Sequence, residues 1–132
     1  MSVGEETTRR TEMRIKVLAS SLTKDQVEFL KKDRFATKLS TTAHLADRLR
    51  EKGISKEDVI EALRVGVLIE FHTEAGTRRT LWRNMKTGVC VVLDHDERKV
   101  VTAWRNDVRD NHLTIDLGKY MSVRLSNRFV MG

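Results

Sequence analysis

The chain has 132 residues, with 25 Lys and Arg against 19 Asp and Glu and a formal net charge of +6. That length fits one domain spanning residues 1–132, and the surplus of Lys and Arg favours phosphate-rich partners over acidic surfaces. With 33% charged residues and no apolar run of the roughly 20 residues a spanning helix needs, it does not read as a membrane protein.

Residues 1–12 are polar and read as a loose end, and the acidic opening Met1–Glu6 lacks the basic-then-apolar pattern of a secretion signal. A cytoplasmic location is therefore expected. Met13–Leu18 alternates as a short strand. Thr23-Lys24-Asp25-Gln26 has the form of a capping box, which starts a first helix running to about Phe35. Ser40-Thr41-Thr42 opens a second helix with Leu45 and Leu49 as its apolar stripe, stopped at Gly53. Ser55-Lys56-Glu57-Asp58 caps a third, which ends at Gly66.

After Gly66 the hydrophobic period changes from helical to alternating. Val67–Thr73, Thr77–Arg83, Val89–Leu93 and Lys99–Arg105 read as four strands joined by short turns. His112–Leu117 and Met121–Leu125 alternate too, so residues 107–132 are expected to add strands. The expected fold is α+β, with N-terminal helices on one face of a four- to six-stranded, mainly antiparallel sheet.

Cys90 is the only cysteine. It excludes an intrachain disulfide and a thiolate zinc site, and within Val89–Leu93 it reads as a small core residue. The sequence has no phosphate-binding glycine loop, no dinucleotide fingerprint and no paired metal-binding histidines on one helix. His95-Asp96-Glu97 matches the start of the zinc-deaminase signature, but the cysteine pair that must follow is absent. No cofactor or metal is expected.

The order of His44 and Arg48 on one helix, Gly53-Ile54-Ser55, Asp58-Val59 and Val100-Val101-Thr102-Ala103-Trp104 resembles a small bacterial and phage family known as a domain of unknown function. The likeness covers residues 41–106. That family is placed with the barnase, EndoU, colicin and RelE-like fold of metal-independent ribonucleases, many of them toxins. The resemblance therefore implies an RNA-cleaving, toxin-like protein with an antitoxin, immunity or host-protein partner.

Metal-free RNA cleavage needs a base for the 2′-hydroxyl, an acid for the leaving 5′-oxygen, and cations for the charge at phosphorus. His44, Arg48 and Lys52 fall at i, i+4 and i+8, a helical stripe suited to one titratable group and two phosphate-binding cations. Arg78 and Arg79 must point to opposite faces of their strand, and Arg78 is preferred. Thr102 and Trp104 share a face, where a hydroxyl can bond phosphate and an indole can stack on a base. Arg105 is a further phosphate contact. His72 and His112, polar members of alternating strands, are candidate partners for His44. His95, in its turn, is expected to be solvated.

The combined expectation is a ribonuclease using His44 as acid or base, with Arg48, Arg78 and Thr102 holding the phosphate. Lys52, Trp104, Arg105, His72 and His112 would contact the RNA. The alternative is a non-catalytic module on the same fold that binds RNA or blocks a host protein.

Overall fold

The computed structural model describes residues 15–36, 43–74, 76–106 and 125–132. Strand β1 (Ile15–Leu18) leads through a 3-10 turn into helix α1 (Lys24–Asp33), followed by α2 (Ala43–Glu51) and α3 (Lys56–Val65). Strands β2 (Val67–Glu74), β3 (Thr77–Arg83), β4 (Val89–Asp94) and β5 (Lys99–Arg105) come next, and then α4 (Asn127–Met131). The five strands form one antiparallel sheet in the order β1-β2-β3-β4-β5. The α+β class and the helix-then-sheet order follow the expectation.

The helix boundaries have local causes. Thr23 Oγ1 accepts from the Gln26 N–H at 3.2 Å while Gln26 Oε1 accepts from the Thr23 N–H at 2.9 Å, and Ser55 and Asp58 repeat the arrangement at α3. Gly53 adopts φ +70° at the end of α2, where the Ile54 N–H reaches the Leu49 carbonyl and the Gly53 N–H that of Arg50. Gly66 ends α3 differently, in extended backbone at φ −69°. A Cβ there would lie 2.0 Å from the Ala62 oxygen, so closeness of chain to chain demands the glycine.

The four helices among the described residues bury apolar residues in one core: Leu30 of α1, Leu45 and Leu49 of α2, Val59, Ala62 and Leu63 of α3, and Val130 of α4. From the sheet, Ile15, Val17, Phe71, Trp82, Val89, Val91, Leu93, Val100 and Ala103 join them. The registers Val17↔Phe71, Phe71↔Thr80, Trp82↔Val91 and Val91↔Ala103 put these on one side of the pleat. Glu70, His72, Arg79, Arg83, Cys90, Asp94, Thr102 and Trp104 stand on the other. Irregularities between Leu68 and Glu70 in β2, and beside Val92 and Leu93 between β4 and β5, let the alternation run on without a slip.

A buried polar chain crosses this core. Trp82 Nε1 donates to Thr80 Oγ1 at 2.6 Å, Thr80 Oγ1 lies 2.6 Å from His95 Nε2, and His95 Nδ1 lies 2.7 Å from Asp33 Oδ2. Indole N–H can only donate and a carboxylate can only accept, so the direction is fixed. The Thr80 hydroxyl gives its proton to Nε2, and Nδ1–H donates to Asp33. His95 is 2% exposed, which corrects the expectation that its turn is solvated. It continues the core-facing alternation of Leu93, and partners from two distant elements satisfy both its nitrogens.

Two further side chains tie distant elements together. Gln26, also buried, donates Nε2 to the Leu125 carbonyl at 2.9 Å and so binds α1 to the segment before α4. Arg34 donates to the Gly66 and Arg64 carbonyls at the end of α3, and its guanidinium lies 4.7 Å from the Trp82 ring centre.

Residues 107–132 were expected to add strands, and α4 corrects this where the structure describes them. The five-residue helix is held by burial of Val130 rather than by intrinsic propensity. The sheet gains its fifth strand from β1 instead. The expected strand His112–Leu117, residues 121–124 of the next, residues 1–12 and the helix opening at 40–42 lie outside the described residues. Among the described residues no helix is long and apolar enough to cross a membrane.

Burial pushes the His95 imidazole below its ordinary value, opposed only in part by Asp33. The unfolded chain therefore takes up the proton more readily than the folded one, and stability is lost as pH falls below about 6.5. Urea midpoints of the wild type should fall between pH 7 and pH 5, by up to about 1.4 kcal/mol of stability per pH unit, and His95→Gln should flatten that slope. A wild-type midpoint constant over this range contradicts a neutral buried imidazole.

Candidate functional site

The sheet divides the residues expected to act together. Arg78 is on the core side, where its Nε and Nη2 meet Asp96 Oδ1 at 3.1 and 3.0 Å and its Nη1 donates to the Val130 carbonyl at 2.8 Å. Thr102 is on the second face, across from Val92. A phosphate cannot be held by both, so the quartet of His44, Arg48, Arg78 and Thr102 does not converge. The reason is pleat parity: Arg78 shares its side with Thr80 and Trp82, and those two are core.

His44 and Arg48 are exposed on α2, which buries Leu45 and Leu49 toward the core side. Lys52 donates Nζ to the Ala103 carbonyl at 3.1 Å and so fastens the end of α2 to β5. Arg105 lies on the core side with an Asp58 contact at 3.5 Å. This contact, with the Ser55 hydrogen bonds as the larger cause, holds the Asp58 carboxyl below its usual range. Lys52 and Arg105 thus each meet the helix layer, and Arg105 keeps 48% of its side chain exposed. His112 lies outside the described residues.

The second face brings another set together. A cleft of about 190 Å³ is lined by Glu70 and His72 from β2, Arg79 and Leu81 from β3, Val92 from β4, and Val101 and Thr102 from β5. His72 and Arg79 are register partners, as are Glu70 and Leu81 in the next row. Glu70 and His72 are two residues apart on one strand, so they project to the same side roughly 6.6 Å apart. Glu70 also meets Lys16 at 3.4 Å. Trp104, half-buried, stands one step beyond Thr102 on the same face, opposite Cys90.

Arg79 is aimed by the turn beneath it. Asp94 is 1% exposed; its Oδ1 accepts the N–H groups of Asp96 and Glu97 at 2.9 Å each, and its Oδ2 lies 3.7 Å from Arg79 Nε. The same carboxylate closes the β4–β5 turn and gives the Arg79 guanidinium a fixed counter-charge. Chemically, the cleft offers a carboxylate, an imidazole, a half-exposed guanidinium and a hydroxyl on a rigid sheet.

Of the sequence candidates, His72, Thr102 and Trp104 share this face, while Glu70 and Arg79 join them without having been preferred. A signal for both was present. Glu70 and His72 are alternate polar residues around the apolar Phe71, and the choice between Arg78 and Arg79 depended only on which face was core. Among the described residues no three His, Cys, Asp or Glu side chains cluster as a metal ion would require.

A family model described as Domain of unknown function (DUF4258) matches residues 41–105. The match runs from α2 to β5, so it includes every residue of the cleft and leaves out β1, α1 and α4. No curated protein and no solved structure matches the chain.

Cys90 shares the second face but is fully buried, and burial raises its thiol to about 11, with the Glu70 carboxylate adding to the rise against an opposing Arg83. Such a thiol is almost all protonated and is no nucleophile at neutral pH. Folded protein at pH 8 should resist iodoacetamide and become labelled only on unfolding in urea, read by intact-mass spectrometry. Rapid native labelling contradicts this burial.

Proposed function

We propose that this protein is a metal-independent endoribonuclease whose reaction centre is the cleft on the second face of the sheet. The observation that carries the reading is the meeting of Glu70, His72, Arg79 and Thr102 in one cleft. The net charge of +6 supports it by drawing a polyanion to the surface.

In this reading Glu70 takes the proton of a ribose 2′-hydroxyl as that oxygen attacks phosphorus. The bond from phosphorus to the 5′-oxygen breaks, and His72 in its protonated form gives the leaving oxygen a proton. The products are a 2′,3′-cyclic phosphate and a free 5′-hydroxyl. Arg79, steadied by Asp94, grips the phosphate oxygens while charge builds, and Thr102 adds a hydrogen bond. Trp104 gives a base a surface to stack on.

A second reading is favoured by the contact of Lys16 with Glu70. A carboxylate already engaged by an ammonium is less open to a ribose hydroxyl, which suits a non-catalytic module that binds RNA or a host protein on the same face.

The test is cleavage of total RNA in EDTA with end-group analysis. Wild type should leave 2′,3′-cyclic ends. His72→Ala and Arg79→Ala should each lose at least about 100-fold in rate, while His44→Ala keeps its activity. Folded wild type that leaves RNA uncut but binds it with a steep salt dependence selects the second reading. Activity lost in His44→Ala and kept in His72→Ala would move the centre to α2.

A further inference from the structure

A cavity larger than the cleft lies at the β2–β3 end of the sheet, on the core side. It measures about 480 Å³ and is lined by Thr73, Gly76, Arg78, Asp96, Arg128 and Phe129. Its walls come from three separate places: the β2–β3 tip, the β4–β5 turn and α4.

Arg78 assembles this cavity. Its guanidinium holds Asp96 in one wall and the Val130 carbonyl of α4 in another, and its own backbone N–H donates a further bond to the Asp96 carboxylate, at 2.6 Å. Burial of Val130 and the Gln26 bond to Leu125 set α4 from its other side. The charges of Arg78 and Asp96 cancel. Arg128, exposed on α4, adds a cation, and Phe129 adds an aromatic ring that is 43% exposed. A cation beside an exposed ring suits a ligand that carries both an anion and a planar face.

The cavity also lies beside the cleft. Thr73↔Arg78 is the row next to His72↔Arg79 in the same pair of strands. Adjacent rows face opposite sides of the pleat, so the cleft and the cavity stand back to back at one end of β2 and β3. A flexible polyanion leaving Arg79 reaches the cavity by passing around the tip at Gly76. A duplex is too stiff for that turn, since its persistence length is about 50 nm.

We infer that this cavity is a second nucleotide subsite for the same single strand, with Arg128 on a phosphate and Phe129 under a base, so that the protein takes single-stranded RNA several nucleotides long. The inference rests on the proposed ribonuclease reading for the identity of the ligand.

The test measures binding of labelled thymidine di- and hexanucleotides by fluorescence anisotropy. These lack the 2′-hydroxyl and cannot be cut, so binding is read apart from cleavage. Wild type should bind the hexanucleotide at least about tenfold more tightly than the dinucleotide. Phe129→Ala and Arg128→Ala should each lose about tenfold on the hexanucleotide and nothing on the dinucleotide. Arg50→Ala, which removes an exposed charge from α2, controls for general electrostatics and should bind both as wild type does.

Hexanucleotide affinity unchanged in Phe129→Ala and Arg128→Ala overturns the subsite, as does a wild type that gains nothing with length. A wild type that shows the length gain at Phe129 and Arg128 yet leaves RNA intact keeps the subsite and removes the ribonuclease reading. RNA cleavage with no length gain does the reverse.

Discussion

The architecture turns on the buried chain from Trp82 through Thr80 and His95 to Asp33. It joins β3, the β4–β5 turn and the end of α1 with three short hydrogen bonds in a region where none of the ring nitrogens or the hydroxyl meets water. Each bond adds only about 1 kcal/mol net, yet removing one partner strands a buried polar group at about 1–3 kcal/mol. The constraint is therefore directional as well as stabilising. With Thr80 and Trp82 held inward, the side chain between Arg78 and Thr80 has to point outward, and that side chain is Arg79.

The sheet then acts as a partition between two kinds of chemistry. On the core side the cations are consumed by structure: Arg34 closes the end of α3 over Trp82, Arg78 joins the β4–β5 turn to α4, and Arg105 meets Asp58. On the second face Arg79 has the longer Asp94 contact at 3.7 Å and keeps 38% of its side chain exposed. The Arg79 guanidinium is thus oriented but not enclosed. The same carboxylate, Asp94, shapes the turn and orients the cation, so the fold and the cleft share a part.

Burial also sorts the groups that look reactive. Asp33, His95 and Thr80 have the order of a carboxylate–imidazole–hydroxyl relay, but Thr80 and His95 are 1% and 2% exposed and Thr80 already accepts from an indole. No substrate reaches that hydroxyl, so the relay is structural. Cys90 is closed off in the same way. On the second face Glu70 is buried at 9% exposed, while His72, Arg79 and Thr102 keep part of their surface open, and the family match covers all four.

The sequence by itself determined the elements from β1 to β5, because their signals are local, but not α4. The two capping boxes, Gly53, and the change from a helical to an alternating period after Gly66 act over a few residues, and the strands they predict agree with the structure to within a residue or two. It also determined that Arg78 and Arg79 part company and that Thr102 and Trp104 keep together, since alternation in a strand is fixed by the backbone. Only the tertiary structure decided which face became the core. That choice depends on where the helices bury Leu30, Leu45, Leu49 and Leu63, and on partners as far apart as Asp33 and His95, contacts that no window of sequence contains. It turned His95 from a solvated turn residue into the centre of the core's polar chain, and it set Arg79 rather than Arg78 beside His72.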